Sequence, residues 1–297
     1  MIINRTNMTN LFIGYKAAFQ SAFGEAKPMW KDYATYVKST TAIETYAWLA
    51  QMPGMREWIG DRFLKSIEAD GYQVKNRDWE DTVKVPRNAI SDDQYGVFTP
   101  FMAAMGAAAA AHPDQLVFGQ LASGFTANCY DKQCFFDADH PVRGADGKVN
   151  SVSNVQAGNS VPWFLLDLSK PIKPILYQDR KPVAFVAKDN PDDDNVFFRK
   201  QFIYGADSRS ATGFTFWQLA FGSKASLDKG NFDAAYDAMA VLKGDEGRPI
   251  GVKATHLVIP PQLRTKADEV IRVQRLANGA DNPNYGRVTV VEVPWLA

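Results

Sequence analysis

The residues of this chain that could do chemistry gather between positions 129 and 140. Cys129 and Cys134 are its two cysteines, and Asp139-His140 follows closely. A thiol near an imidazole and a carboxylate is the apparatus of a nucleophilic cysteine enzyme. The same side chains could form part of a zinc site, with His112 or His256 as a further ligand. Neither pattern is complete. No local signature of a cysteine-hydrolase family surrounds either cysteine. Structural zinc sites pair their cysteines in two close clusters, and here there is one loose pair. Two reduced thiols and a loop histidine are the plainer reading. Asp192-Asp193-Asp194 lacks the spaced acids and turn glycine of a calcium loop, so it reads as a solvated loop. Neither common glycine-rich phosphate cradle occurs. No catalytic residue, no metal ligand and no cofactor is therefore assigned. A soluble thiol- or metal-dependent enzyme centred on Cys129, Cys134 and His140 stays as the alternative.

Composition narrows the classes further. The 297 residues are 46% hydrophobic and 22% charged, which permits a sizeable core and argues against general disorder. Lys+Arg and Asp+Glu both number 33, without the basic excess of a dedicated nucleic-acid binder. Zero net charge also gives copies of the chain little long-range repulsion. The first residues, Met1 to Met8, show no basic region followed by an apolar run and do not read as a secretory signal. No window approaches the ~18 consecutive apolar residues of a membrane span, and no membrane partner is expected.

The elements that must position these residues are legible in part. Leu11, Tyr15, Ala18, Phe19 and Ala22 predict a helix over 9–25, docked either on its own domain or on a neighbour. Residues 33–46 read as extended, and Trp48, Met52, Met55 and Trp58 as a core cluster around Pro53-Gly54. Between 61 and 90 there are six basic and six acidic residues. There Tyr72 and Val74, then Val83 and Val85, alternate with polar residues as in a hairpin, with Asp70-Gly71, Asn76 and Asp78 as turn candidates. A two-stranded ribbon is marginal alone, so this arm must lie on something else. Asp92-Asp93 is expected to open a helix over 93–111, whose Gly106 and alanines admit close backbone approach. Pro113 should break it, leaving a short helix over 114–122 that ends at Gly124. A surface loop is expected at 143–160. Strands are expected at 163–168, 172–178, 183–187, 196–204, 213–220, 255–260 and 287–293, with helices at 232–242 and 262–276. The class is α+β, with no internal repeat.

Several stretches, taken in order, carry a resemblance. They are Glu44-Thr45-Tyr46-Ala47-Trp48-Leu49 with Arg56-Glu57-Trp58-Ile59-Gly60; Phe125 with Cys129-Tyr130-Asp131; Phe135-Phe136-Asp137 and His140-Pro141-Val142; Leu165-Leu166-Asp167; and Phe202-Ile203-Tyr204-Gly205-Ala206 with Gly213-Phe214 and Phe216-Trp217-Gln218. In this order and spacing the chain resembles the major head subunit of phage Mu and its Mu-like prophage relatives, over nearly its whole length.

The resemblance implies an HK97-like capsid fold with an N-terminal arm (1–30) and a P-domain part (31–59). An E-loop hairpin (60–91), a P-domain region with the long spine helix (92–124), an A-domain (125–275) and a P-domain return strand (276–297) follow. It further implies a major capsid protein that self-assembles into pentamers and hexamers of an icosahedral head enclosing double-stranded DNA through nonspecific contact. The expected partners are a separate scaffolding protein, a portal and a decoration protein. A protein-cargo nanocompartment of the same fold is a second alternative. Expected inter-subunit contacts are Phe12, Tyr15 and Phe19 on the arm, and Arg62, Lys65, Glu68, Lys75, Arg77, Trp79, Glu80 and Lys84 on the hairpin. On this reading, deleting residues 66–83 leaves a soluble subunit that makes no stable shells.

Overall fold

The computed structural model describes residues 2–50, 71–92, 95–144, 146–276 and 278–297. In chain order, α1 (Arg5–Glu25) and α2 (Trp30–Tyr33) lead into β1 (Ala34–Lys38), β2 (Ile43–Tyr46), β3 (Tyr72–Lys75) and β4 (Arg77–Pro86). Next come α3 (Arg87–Ser91), α4 (Tyr95–Ser123), β5 (His140–Arg143), β6 (Val149–Val152), β7 (Val155–Gln156) and β8 (Trp163–Leu166). The chain continues through β9 (Ile175–Lys188), α5 (Asp194–Arg199), β10 (Gln201–Phe214), β11 (Ala220–Ser223) and α6 (Lys229–Ala240). It ends with β12 (His256–Ile259), α7 (Arg264–Ala267) and β13 (Thr289–Glu292).

β2 with β3 and β5 with β6 form two-stranded pairs, and two larger sheets hold the other strands. One has the order β1-β9-β10-β4, and the other β13-β12-β8-β11-β7. The 14-residue strands β9 and β10 form the spine of the first sheet. Each is ~45 Å long at the usual strand rise, about the length of the 29-residue α4 at ~1.5 Å per residue. Strands and helix therefore run together through two hydrophobic clusters. The larger cluster takes Val117, Phe118 and Leu121 of α4 with the second sheet and α6. The smaller takes Met102 and Met105 of α4 with Met8, Tyr15 and Phe19 of α1, Phe185 of β9, and Phe202 and Tyr204 of β10.

Several expectations change here. The helix over 9–25 starts earlier, where Asn4 caps it by accepting from the Asn7 N–H. Asp92 follows α3 instead of opening α4; Asp93 lies outside the described residues. Pro113 does not end α4, because buried side chains on both sides of it anchor the helix in separate clusters. Just beyond it, the Asp114 carboxylate accepts the backbone N–H groups of Met29 and Trp30.

The expected hairpin between residues 72–75 and 83–86 does not form. β3 pairs antiparallel with β2 instead, and β4 pairs antiparallel with β10. The expected strands 172–178 and 183–187 are one strand, β9, and 196–204 is split by α5. β10 runs unbroken through Gly205, with a register irregularity at Asp207/Arg209. The segment 143–160 contains β6 and β7, and 262–276 folds into short helical turns. The strand expected at 287–293 does not join the sheet of β4, β9 and β10. It pairs in parallel with β12 at the edge of the other sheet. The stretch 125–275 thus contributes to both sheets.

Candidate functional site

The cysteine–histidine segment folds as a tight knot. After α4, the Cys129 N–H donates to Gln133 O at 2.8 Å and the Lys132 N–H to Cys129 O at 3.2 Å. Lys132 turns the chain in the left-handed region with φ 71°. That turn aims Asp131 inward. One of its oxygens meets His140 Nδ1 at 2.6 Å, and the other accepts from Cys129 Sγ at 3.0 Å. His140 is fully buried and stacks on Trp217, ring centres 4.0 Å apart and planes 7° from parallel.

Asn154 fixes the ring's orientation. Its Nδ2 donates to the carbonyls of Phe135, Trp217 and Ala220, so its Oδ1 is left to accept from Asp137 N–H and to face His140 Nε2 at 3.1 Å. Nε2 therefore carries a hydrogen. Burial alone would raise the Asp131 carboxyl, but the hydrogen bonds from His140 and Cys129 bring it below its ordinary value. Burial, and then the neighbouring Asp131 charge, push the Cys129 thiol far up.

This geometry does not make a nucleophile. The thiol donates to Asp131, with the carboxylate between it and the imidazole, and a thiolate is disfavoured. Asp139, the neighbour that sequence spacing offered to His140, accepts from Ser151 Oγ instead. Cys134 is free and faces Asn128 Oδ1 at 3.8 Å. His112 packs edge-on against Trp79 and His256 lies beside Tyr33, so neither joins the group. Asp131 is the member that sequence reasoning missed. The signal was Cys129-Tyr130-Asp131 itself, which needed the left-handed turn at Lys132 to become meaningful.

The second candidate region is the base of the β2–β3 pair. A buried chain of side chains ties it to the long sheet. Tyr46 Oη donates to Gln178 Oε1 at 2.8 Å. Gln178 Nε2 donates to Asn76 Oδ1 at 2.7 Å and to Val74 O at 3.1 Å. Asn76 Nδ2 donates to Ser39 Oγ at 2.7 Å. Ser39 in turn donates to Glu44, which also accepts from the N–H groups of Thr40 and Thr41. Those two N–H groups and Ser39 hold the Glu44 carboxyl down at about 2. At Gly71 an added Cβ would meet the Ala47 backbone at 2.6 Å, so the two segments touch there.

The expected contact residues divide three ways. Arg62, Lys65 and Glu68 lie outside the described residues, as do Met52, Met55 and Trp58. Tyr15 and Phe19 are buried within their own chain, Tyr15 edge-on to Tyr204 and Phe19 against Phe185. Phe12 stacks on Phe185 and is half-buried. Tyr15 and Phe19 are thus covered by their own chain, and Phe12 is covered by it only in part. Lys75, Arg77, Glu80 and Lys84 are exposed. Trp79 is half-buried and donates from Nε1 to Ser210 O at 3.2 Å. No sequence signal singled out Phe197 and Phe198, 73% and 75% exposed on α5 at the end of the β9–β10 pair. They lie in a stretch read as a strand; within α5 only Val196 is buried.

The chain lays a long helix along two 14-residue strands beside a second sheet, and solved phage capsid subunits share this fold. The solved procapsid of bacteriophage JBD30 matches it with a TM-score of 0.86 and 45% identity, covering 99% of this chain and 100% of that one. The JBD30 capsid matches with a TM-score of 0.80 and 37% identity over 94% of each chain. The family model described as Mu-like prophage major head subunit gpT matches residues 8–296, and the chain belongs to that family. It is 42% identical over 268 residues to the Mu-like prophage FluMu major head subunit of Haemophilus influenzae, covering 88% of this chain and 87% of the relative. It is 35% identical over 305 residues to the major capsid protein of Escherichia phage Mu, covering 100% of both. The chain is a major capsid protein of the phage head. Among the described residues no helix is long and apolar enough to cross a membrane.

Proposed function

We propose that this chain closes into an icosahedral shell of pentamers and hexamers around double-stranded DNA, with no catalytic role. The end-to-end likeness to a procapsid subunit carries this reading. DNA contact is weak and nonspecific, in keeping with the balanced charge. A separate scaffolding protein, a portal and a decoration protein complete the head. The last is supported by a JBD30 capsid relative decorated with minor capsid protein trimers. Because the relatives above are phage head proteins, DNA is the cargo in this reading, in preference to the protein cargo of a nanocompartment.

Within the shell, α1, α4 and the β1-β9-β10-β4 sheet serve as the peripheral unit. The β13-β12-β8-β11-β7 sheet with α6 serves as the axial unit. The sheet pairings support this division over one drawn at residues 125 and 275. The segment between β2 and β3 serves as the inter-subunit arm, supported by the polar anchor at its base. Shell formation then rests on many modest interfaces between identical copies. The test is to replace residues 51–70 with a short Gly-Ser link and sediment the product beside the parent chain. Deleting residues 66–83 is unsuitable, since it removes β3 and most of β4 from their sheets. A folded, slowly sedimenting subunit is expected. Shells of normal size would remove the arm assignment.

A further inference from the structure

The shell-building role proposed above gives no task to the side chains buried around Cys129, Asp131 and His140. A sulfur, a carboxylate oxygen and an imidazole nitrogen converge there, all within 4.8 Å of one another. Asn154 holds His140 Nε2 as the N–H donor and turns Nδ1 toward Asp131. This is the outer-shell arrangement that orients a metal-bound histidine. With Nδ1 so turned, a ring nitrogen and a carboxylate oxygen face each other at 2.6 Å, a contact that needs a hydrogen or a metal ion between them.

We propose that Cys129 Sγ, Asp131 and His140 Nδ1 bind one zinc ion, with a water in the fourth position. Thiolate, imidazole and carboxylate together are a zinc donor set with bonds of ~2.0–2.3 Å; Nδ1 and the Asp131 oxygen, 2.6 Å apart across a hydrogen, move apart to bracket the ion. Calcium and magnesium take oxygen ligands and do not suit it. Zinc enters as protons leave: the Cys129 thiol proton and the proton between Nδ1 and Asp131 both pass to solvent, so two positive charges replace two. The ion reaches the group past Asp131, whose side chain is 9% exposed, while His140 is sealed behind it. Bound there, zinc clips the 129–133 turn to the start of β5. Cys134 takes no part, since its sulfur faces Asn128.

The test is elemental analysis of the purified full-length chain, dialysed against zinc and then stripped of loosely held ions on a chelating resin. The parent chain and Cys134→Ser should each retain about one zinc, and Cys129→Ser and Asp131→Asn should bind at least ~10-fold more weakly. A cobalt(II) titration of the parent chain needs no variant. A thiolate-to-cobalt charge-transfer absorption that saturates at about one equivalent is expected. A parent chain that keeps no zinc and shows no such absorption overturns the proposal and leaves protons alone in the group. Absorption that survives Cys129→Ser but is lost in Cys134→Ser overturns the ligand assignment.

Discussion

Asp131 and His140 meet in a place with almost no water, so removing either leaves the other without its counterpart. Asp131→Asn should therefore lower the unfolding free energy by ~3 kcal/mol in a denaturant titration. Cys134→Ala, outside the group, should change it by less than ~0.5 kcal/mol. Glu44 gives a pH signature with a definite sign. Its folded carboxyl sits at about 2, against ~4.3 in an unfolded chain. The stabilisation it provides is complete above the unfolded value and disappears as pH falls from there through about 2. Melting curves of the parent chain and Glu44→Gln should accordingly differ at neutral pH and converge in acid. A gap that persists at the lowest pH would show that Glu44 acts through packing. At this scale the sequence drew attention to Cys129, Cys134 and His140, and in the fold Cys129 and His140 both meet Asp131. It paired His140 with adjacent Asp139, because proximity in sequence was the available guide. The true partner depends on one left-handed residue, Lys132, which no spacing pattern announces.

Among the elements, α1 and α4 cross so closely that an added Cβ at Gly106 would lie 2.2 Å from the Phe19 carbonyl oxygen. Gly106→Ala must push α1 away and should cost ~1–3 kcal/mol, read as a lowered denaturation midpoint with an unchanged slope. Gly119→Ala in the same helix meets nothing within 4 Å and should be neutral or stabilising. The close approach at Gly106 was legible from the run of small residues. That the partner is the chain's own α1 was not, since an amphipathic stripe shows that a face is buried but not by what. Pro113 misled for a related reason. The rule that proline ends a helix is local, and here burial on both sides of it overrides the rule. Strand pairing was the weakest inference. Residues 72–75 and 83–86 look like hairpin partners because they are close in sequence, yet the first pairs with β2 and the second with β10.

For the whole molecule, the fold class and the head-subunit family were legible from ordered motifs spread along the chain, none of which identifies it alone. Neutral charge and ordinary composition excluded other classes without selecting this one. Exposed Phe197 and Phe198 at one end of the long sheet and exposed Val97 and Phe101 on α4 leave apolar surface that the single chain does not cover. Larger apolar patches commonly mark contact between molecules. The central claim is that this subunit builds a closed shell, and electron microscopy of the purified full-length protein tests it most directly. The account predicts closed icosahedral particles tens of nanometres across, with subunits grouped in fives and sixes. A discrete monomer or small oligomer under every assembly condition, with scaffolding protein present, would contradict it.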